Sequence, residues 1–385
     1  MQIRWLERQL QPIQATRELD DLLPHQLSAV QATIEQEEDV GRKFMRMFFV
    51  FQTMSMDDFA LEVQQKAFEF ERCYRLLAPQ NPKLRVLALM GPGTMPDNAP
   101  LDYVLFGQNI QLDVFYFDAN THGTIEVPEH DVAILALGES EKNNPVLQVI
   151  EGYRLIWPRP FFNHSAGVIR CARHHLYAHF AHSAHVWVPC TQKLDAAQIR
   201  QAAFPFLIRP LDTHAGEGFF KIDAPHELGA FFAKHEAPTY YHSEFVDYSL
   251  SDGLFRKIRV ALIGKQPYVC HYAIDDTWMV HYQAAHMELS EDKRAEEALF
   301  MQSFQTEFAS QHAKAFAEIA QTLDLDYVVL DCALAPDGRL LVFEADNRGW
   351  IHDTDPVDIF PYKKPVMAQA FEAFTQMLQA KSKAA

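Results

Sequence analysis

The chain has 385 residues, 48% of them apolar, and a formal net charge of −17 from 34 basic and 51 acidic residues. An acidic balance of this size excludes duplex nucleic acid and anionic membrane surfaces as partners, because phosphate backbones bind basic patches. The five cysteines, at 73, 171, 190, 270 and 332, are odd in number and lack CxxC pairing. That excludes a disulfide framework or zinc ribbon and points to a reducing cytoplasm.

The length allows a full core and two or three domains. The opening MQIRWLERQLQPIQATRELDD has no apolar stretch of the kind a secretory signal carries. The densest apolar patch, Phe44–Phe51, is interrupted by Arg46 and falls far short of the roughly 20 residues that span a bilayer.

Residues 1–82 read as a helical N-terminal extension. Pro24–Gln36 carries Leu27, Val30 and Ile34 at helical spacing, and Met56–Leu77 repeats the pattern behind Asp57 and Asp58. Pro79 and Pro82 end it. From 83 to 162 the period changes. LRVLAL (84–89), LDVFYFD (112–118), VAILAL (132–137) and RLIWP (154–158) are short apolar runs that predict buried parallel strands of an open α/β domain. After the first comes Met90-Gly91-Pro92-Gly93-Thr94, at the edge where such folds bind ligands. It lacks the full GxGxxG.

Residues 163–385 form the rest. NHSAGVIRCARHHLYAHFAHSAHVWVPC (163–190) predicts a helix running into a strand, with His175, His179, His182 and His185 on one helical face. Imidazoles at that spacing can bind zinc, although no carboxylate or Cys is placed with them. PFLIRPLDTHAGEGFFKID (205–223) predicts a hairpin whose loop holds Gly216 and Gly218, with Arg209 at the end of its first strand. The glycines let backbone amides approach an anion and Arg209 could reach its oxygens. TYYHSEFVDYS (239–249) is a further strand with Glu244, Phe245 and Val246 in its second half. FRKIRVALIG (255–264) follows, with Arg256, Lys257 and Arg259 within four residues, a density that suits phosphate oxygens or a salt-bridged edge strand.

A helix over Asp292–Thr322 leads to DCALAPDGRLLVFEADN (331–347), two strands joined at Pro336-Asp337-Gly338. Asp331 lies at the start of the first strand, and Glu344 and Asp346 share a face at the end of the second. Their convergence would require cations, and hard oxygen donors point to Mg²⁺. An amphipathic helix over Pro365–Lys381 closes the chain, behind Phe360-Pro-Tyr-Lys-Lys-Pro.

Taken in order, the open α/β domain, linking helix, Gly-rich hairpin, Glu-Phe-Val strand, Arg-Val strand and Asp…Glu-x-Asp hairpin resemble the ATP-grasp superfamily over about residues 84–365. FEADNRGWIHDTDP and FPYKKP are most similar to an uncharacterised branch often fused to tetratricopeptide repeats, although no such repeat is present in this sequence. The resemblance implies an α/β and α+β protein: an ATP-grasp domain of two subdomains holding ATP, a preceding open α/β (pre-ATP-grasp) domain, and the helical extension. It also implies an ATP- and Mg²⁺-dependent ligase, using two metal ions with Mn²⁺ as a substitute. Such a ligase joins a small-molecule carboxylate to an amine or thiol through an acyl phosphate and releases ADP.

Carried over residue by residue, Arg173 and Arg209 stand where the family has phosphate-binding basic residues, usually Lys. Gly216 and Gly218 fall in the loop that closes over the phosphates, and Glu244 and Val246 in the hinge that reads adenine. Arg259 matches the residue that stabilises the transferring phosphate, with Arg256 and Lys257 as neighbours. Asp331, Glu344 and Asp346 match the metal ligands, and Asn347 is the alternative to Asp346 because the family ending is Glu-x-Asn. Substrates of this superfamily bind near the first α/β domain, which makes Gly91, Gly93, Thr94 and Asn143 candidate neighbours. Homodimerisation is an analogy only. A small-molecule kinase and a non-catalytic nucleotide-binding scaffold remain as alternative readings.

Overall fold

The computed structural model describes residues 1–20, 27–213 and 216–383. The protein is a mixed α/β chain with several sheets, and its contacts divide it into two compact units. The first comprises Met1–Gly138, Asn143–Ser165 and Phe371–Ala385, the second Glu139–Lys142 and Ala166–Ala370. The expected separation of residues 1–82 from 83–162 is therefore not a contact boundary, for a reason visible in the first sheet.

That sheet has five strands in the order Cys73–Leu77, Ile110–Tyr116, Leu84–Met90, Val132–Leu135, Phe161–Phe162. Cys73–Leu77 pairs antiparallel and the others parallel. Leu84–Met90 and Val132–Leu135 lie where their apolar runs predict. The predicted helix over Met56–Leu77 ends at Phe68, and CYRLL turns into the antiparallel edge strand. What holds it there is Arg75, opposite Asp113 in register and bonded to both its carboxylate oxygens at 2.8 and 3.1 Å. The N-terminal segment is sewn to the same strand, since Ile13 N–H donates to the Arg75 carbonyl at 2.9 Å. The predicted strand 154–158 does not form. Arg154 ends the helix Asn144–Arg154, and Leu155 and Ile156 are 72% and 49% exposed, so the fifth strand is Phe161–Phe162 instead. Of the predicted helix Pro24–Gln36, Leu27–Gln36 is observed and residues 24–26 lie outside the described residues.

The second unit holds two sheets. The smaller is antiparallel, in the order Phe220–Ile222, Phe206–Pro210, Tyr240–Glu244, Thr191–Leu194. One of its faces buries Phe206, Ile208, Ile222 and Tyr240 against Leu228 and Phe231 of the helix Glu227–Lys234. The larger has the order Gln266–Asp275, Phe255–Ile263, Tyr327–Leu334, Leu340–Asp346, Val186–Trp187. Its predicted covering helix over Asp292–Thr322 is broken into Glu291–Ser303, Phe308–Gln311 and Ala313–Leu323. No helix among the described residues is long and apolar enough to cross a membrane.

Candidate active site

Two rows of side chains, one on each sheet of the second unit, build the site. On the larger sheet Arg259 stands opposite Asp331, and Asp331 opposite Glu344, so the row crosses three adjacent strands. The alignment depends on a bulge. Cys332 pairs with Val342 but Asp331 pairs with Glu344, so Phe343 is the extra residue. Without it, simple alternation would turn Glu344 and Asp346 to the opposite face from Asp331.

Each acid on this face has its own cation. Arg259 binds Asp331 through Nε at 2.7 Å and Nη2 at 3.0 Å, and Lys257 Nζ lies 3.2 Å from the same carboxylate. Burial alone would push the Asp331 carboxyl up, but Arg259 and Lys257 overcome it and hold it well below the usual carboxylate range. Arg173 Nη2 reaches Glu344 Oε1 at 2.6 Å. Arg348 Nε binds Asp346 Oδ2 at 2.8 Å. Burial, reinforced by Glu344, raises the Asp346 carboxyl against the pull of Arg348. The carboxylate crowding that pointed to Mg²⁺ is thus relieved by the protein's own cations. Among the described residues no group of three or more His, Cys, Asp or Glu side chains is arranged to hold a metal ion. What fits Mg²⁺ is the donor chemistry, three carboxylates on one sheet face, with Glu344 the most open of them at 33% side-chain exposure. Asn347, the first residue beyond the strand, is buried.

The second row crosses the smaller sheet. Arg209 stands opposite Tyr241 and Tyr241 opposite Lys193, on the face away from the apolar core. Arg209 is buried; its Nε donates to Thr213 Oγ1 at 2.9 Å and its Nη2 to the Thr213 carbonyl. Burial, together with the neighbouring Arg173 guanidinium, pushes Arg209 down to about 9. No carboxylate among the described residues lies within ion-pair distance of it. Arg173 links the rows, pairing with Glu344 and standing 5.8 Å from the Tyr241 ring.

Gly216 and Gly218 follow in the loop, with φ of +81° and +60°. A Cβ at Gly218 would meet Pro210 Cδ at 2.9 Å, so both conformation and space require glycine there. His214 and Ala215 of the same loop lie outside the described residues. Glu244 ends its strand rather than continuing through Val246. Its backbone N–H donates to the Cys190 carbonyl at 2.8 Å, its carboxylate accepts from Cys190 N–H at 3.2 Å, and Val246 beyond it is buried.

Other expected residues are not brought together. Arg256 does not join Lys257 and Arg259. Strand alternation turns it to the other face, where it pairs with Asp252 at 2.7 Å and Glu296 at 2.5 Å. The histidine face does not form, because the helix Arg173–Phe180, which carries His175 and His179, ends before His182 and His185. In the first unit, Gly91 exchanges two hydrogen bonds with the Asn98 side chain at 2.9 and 3.0 Å, and Gly93 two with Gln64 at 2.9 and 3.0 Å. The backbone groups of that turn are engaged internally.

Sequence reasoning missed Lys193, Tyr241 and Arg348; of these only Arg348 carries a local signal, its Asp-x-Arg spacing. It also missed the use of Lys363 in FPYKKP. Lys363 is buried, with Nζ 3.0 Å from Asp355 and 3.3 Å from Glu297, over the rings of Tyr282 and Phe360 at 3.8 and 4.7 Å. Burial pushes Lys363 down to about 6 and Glu297 up to about 8.

No family model matches the chain, and no curated protein matches its sequence. Its structure is similar to those of an ATP-grasp protein and of several ligases. A RimK-domain ATP-grasp protein from Sphaerobacter thermophilus is 12% identical, covers 75% of this chain and 98% of its own, and has a TM-score of 0.45. The VanG D-Ala:D-Ser ligase from Enterococcus faecalis is 11% identical, with coverage of 78% and 100% and a TM-score of 0.46. The D-alanine-D-alanine ligase from Coxiella burnetii is 11% identical, with coverage of 78% and 96% and a TM-score of 0.48.

Proposed function

We propose that the protein is an ATP-dependent ligase that activates a substrate carboxylate as an acyl phosphate and couples it to an amine, or to a thiol, with release of ADP and phosphate. The observation that supports this most is Arg209, a buried guanidinium without a carboxylate partner among the described residues and beside a second guanidinium. A buried cation is costly until an anion joins it. A polyphosphate next to hard oxygen donors meets that need, and the order of motifs in the sequence agrees.

In this reading Arg173 and Arg209 bind the phosphates, the loop with Gly216 and Gly218 closes over them, and Glu244 and Val246 read the adenine. Asp331, Glu344 and Asp346, with Asn347 as the alternative to Asp346, would hold one or two Mg²⁺ ions that neutralise charge between the carboxylates and the phosphate oxygens. The substrate carboxylate attacks the γ-phosphorus in line, ADP leaves, and the amine displaces phosphate from the acyl carbon. Arg259 and Lys257 keep positive charge where negative charge develops. Closing the loop excludes water from the acyl phosphate.

A non-catalytic nucleotide-binding scaffold is the second reading. It is favoured by the ion pairs that already occupy Asp331, Glu344 and Asp346. Thermal melts with Mg²⁺, with ADP and with both test the site, because a ligand that binds only the folded state raises the melting temperature. A shift that needs both components, followed by carboxylate-dependent ADP release, is the expected result. A shift without turnover under any substrate mixture favours the scaffold, and no shift removes both readings.

A further inference from the structure

The short segment Glu139–Lys142 belongs to the second compact unit, and the two rows of the site fasten it there. Arg348, which pairs with Asp346, donates from Nη2 to the Glu139 carbonyl at 3.0 Å. Lys193, opposite Tyr241, pairs with the Glu141 carboxylate, and Glu141 N–H donates to Asp212 Oδ1 at 3.0 Å. The backbone at Glu139 is therefore fixed against both sheets.

Its carboxyl is not. Asp331, Glu344, Asp346 and Glu141 each have a cation within ion-pair distance, and Asp212 accepts a backbone N–H. The Glu139 carboxyl has neither a hydrogen bond nor an ion pair among the described residues. The charged groups around it are Lys193, Arg348 and Arg173 on one side of the balance and Asp212 on the other. Burial outweighs the three cations and raises the carboxyl to about 7, so it exchanges protons at neutral pH.

We propose that Glu139 is the proton acceptor for the amine substrate, which makes the segment Glu139–Lys142 the amine-binding end of the site. The assignment rests on the ligase reading. Amines reach the site as ammonium ions, which cannot attack. The Glu139 carboxylate takes one proton from the ammonium nitrogen, and the freed lone pair attacks the acyl carbon. The carbon–nitrogen bond forms, the carbon–oxygen bond to phosphate breaks with its electron pair leaving on phosphate, and the second nitrogen proton passes to the departing phosphate.

The test compares the wild-type chain with Glu139→Gln, using ATP, Mg²⁺ and the standard amino acids offered in pairs as carboxylate and amine. Hydroxylamine is the control nucleophile, because its weakly basic nitrogen is already unprotonated at neutral pH. Glu139→Gln is expected to lose amine-dependent ADP release by about 10²- to 10⁴-fold. Hydroxamate formation and the nucleotide-induced melting shift should survive, and the acid limb of the wild-type kcat/KM profile, with its midpoint near pH 7, should vanish. Equal loss of hydroxamate and amine product, or an unchanged pH profile, overturns the assignment while leaving the ligase reading intact. A wild-type chain that releases no ADP with any pair and forms no hydroxamate overturns both.

Discussion

Replacing Arg209 by Met should make the ligand-free protein more stable and destroy its nucleotide binding. The guanidinium is held at about 9, far below its ordinary value, and each tenfold change in proton affinity corresponds to about 1.4 kcal/mol, so keeping the charge buried costs about 5 kcal/mol. Met of similar length removes that cost and gives up two hydrogen bonds to Thr213, worth about 3 kcal/mol together for a charged donor. The net expectation is a gain of about 1–2 kcal/mol, seen in urea or thermal melts at pH 7. The folded-state value is lowered, so the cost is fully present below about pH 9 and fades as pH rises from there toward the ordinary guanidinium range, a window in which the unfolded chain binds the extra proton. The gap between variant and wild type should narrow over that window. In the same variant, ADP with Mg²⁺ should no longer raise the melting temperature. A variant that is less stable than wild type and still responds to nucleotide would refute the reasoning, because Arg209 would then be a structural residue.

Glu344→Gln should lower ATP turnover at least 100-fold with the fold intact, since its side chain is a third exposed; ADP release and a melt read the two effects separately. Asp331→Asn is a different perturbation, because it leaves Arg259 and Lys257 against a neutral group. It should cost about 3–5 kcal/mol in urea unfolding. Asp331 is depressed in the folded state, so its contribution is present above the ordinary carboxylate range, and the difference between the two proteins should shrink only as pH falls below it. Gly218→Ala, at φ +60° and against Pro210, should cost about 1–2 kcal/mol in the same assay. Lys363→Ala removes a buried amine that donates to Asp355 and packs over the Tyr282 and Phe360 rings, and should cost about 2–5 kcal/mol in the same assay, with less loss expected for Met, which keeps that packing.

The hairpin carrying Asp331 and Glu344 was legible because Asp337-Gly338 marks a turn and the flanking runs are β-rich. The strands Leu84–Met90 and Val132–Leu135 were legible because a strand covered on both faces reads as a dense apolar run, interrupted here only by Arg85 near the start of the first. The segment Cys73–Leu77 was hidden, since what makes it a strand is Asp113, 38 residues away from Arg75. Leu155 and Ile156 misled for the opposite reason: an apolar run was present, but it lies largely exposed. The histidine spacing was helical on paper, but the helix that carries His175 and His179 ends at Phe180, before His182 and His185. Within the site, Asp331 lies inside Tyr327–Leu334 rather than at its start and only the bulge at Phe343 brings Glu344 to its face, while the places of Arg209 and Glu344 near their strand ends followed from local pattern. Their ion pairs did not, because Arg173 meets Glu344 across 171 residues of chain.

The extra residue at Phe343 makes the acidic strand behave like text with a shifted reading frame. Before it, even-numbered side chains follow Cys332; after it, even-numbered side chains follow Asp331. Insertions in the Ala335–Arg339 turn leave that frame alone, because the turn lies on the other side of the paired segment. Pairing residue for residue through 343, with the bulge lost and Phe343 kept, would instead move Glu344 and Asp346 to the far face of the sheet in one step. Variation in length should therefore be tolerated at the tip of this hairpin, whereas the register is fixed three residues into its second strand, in a stretch where composition alone gives no sign of a boundary.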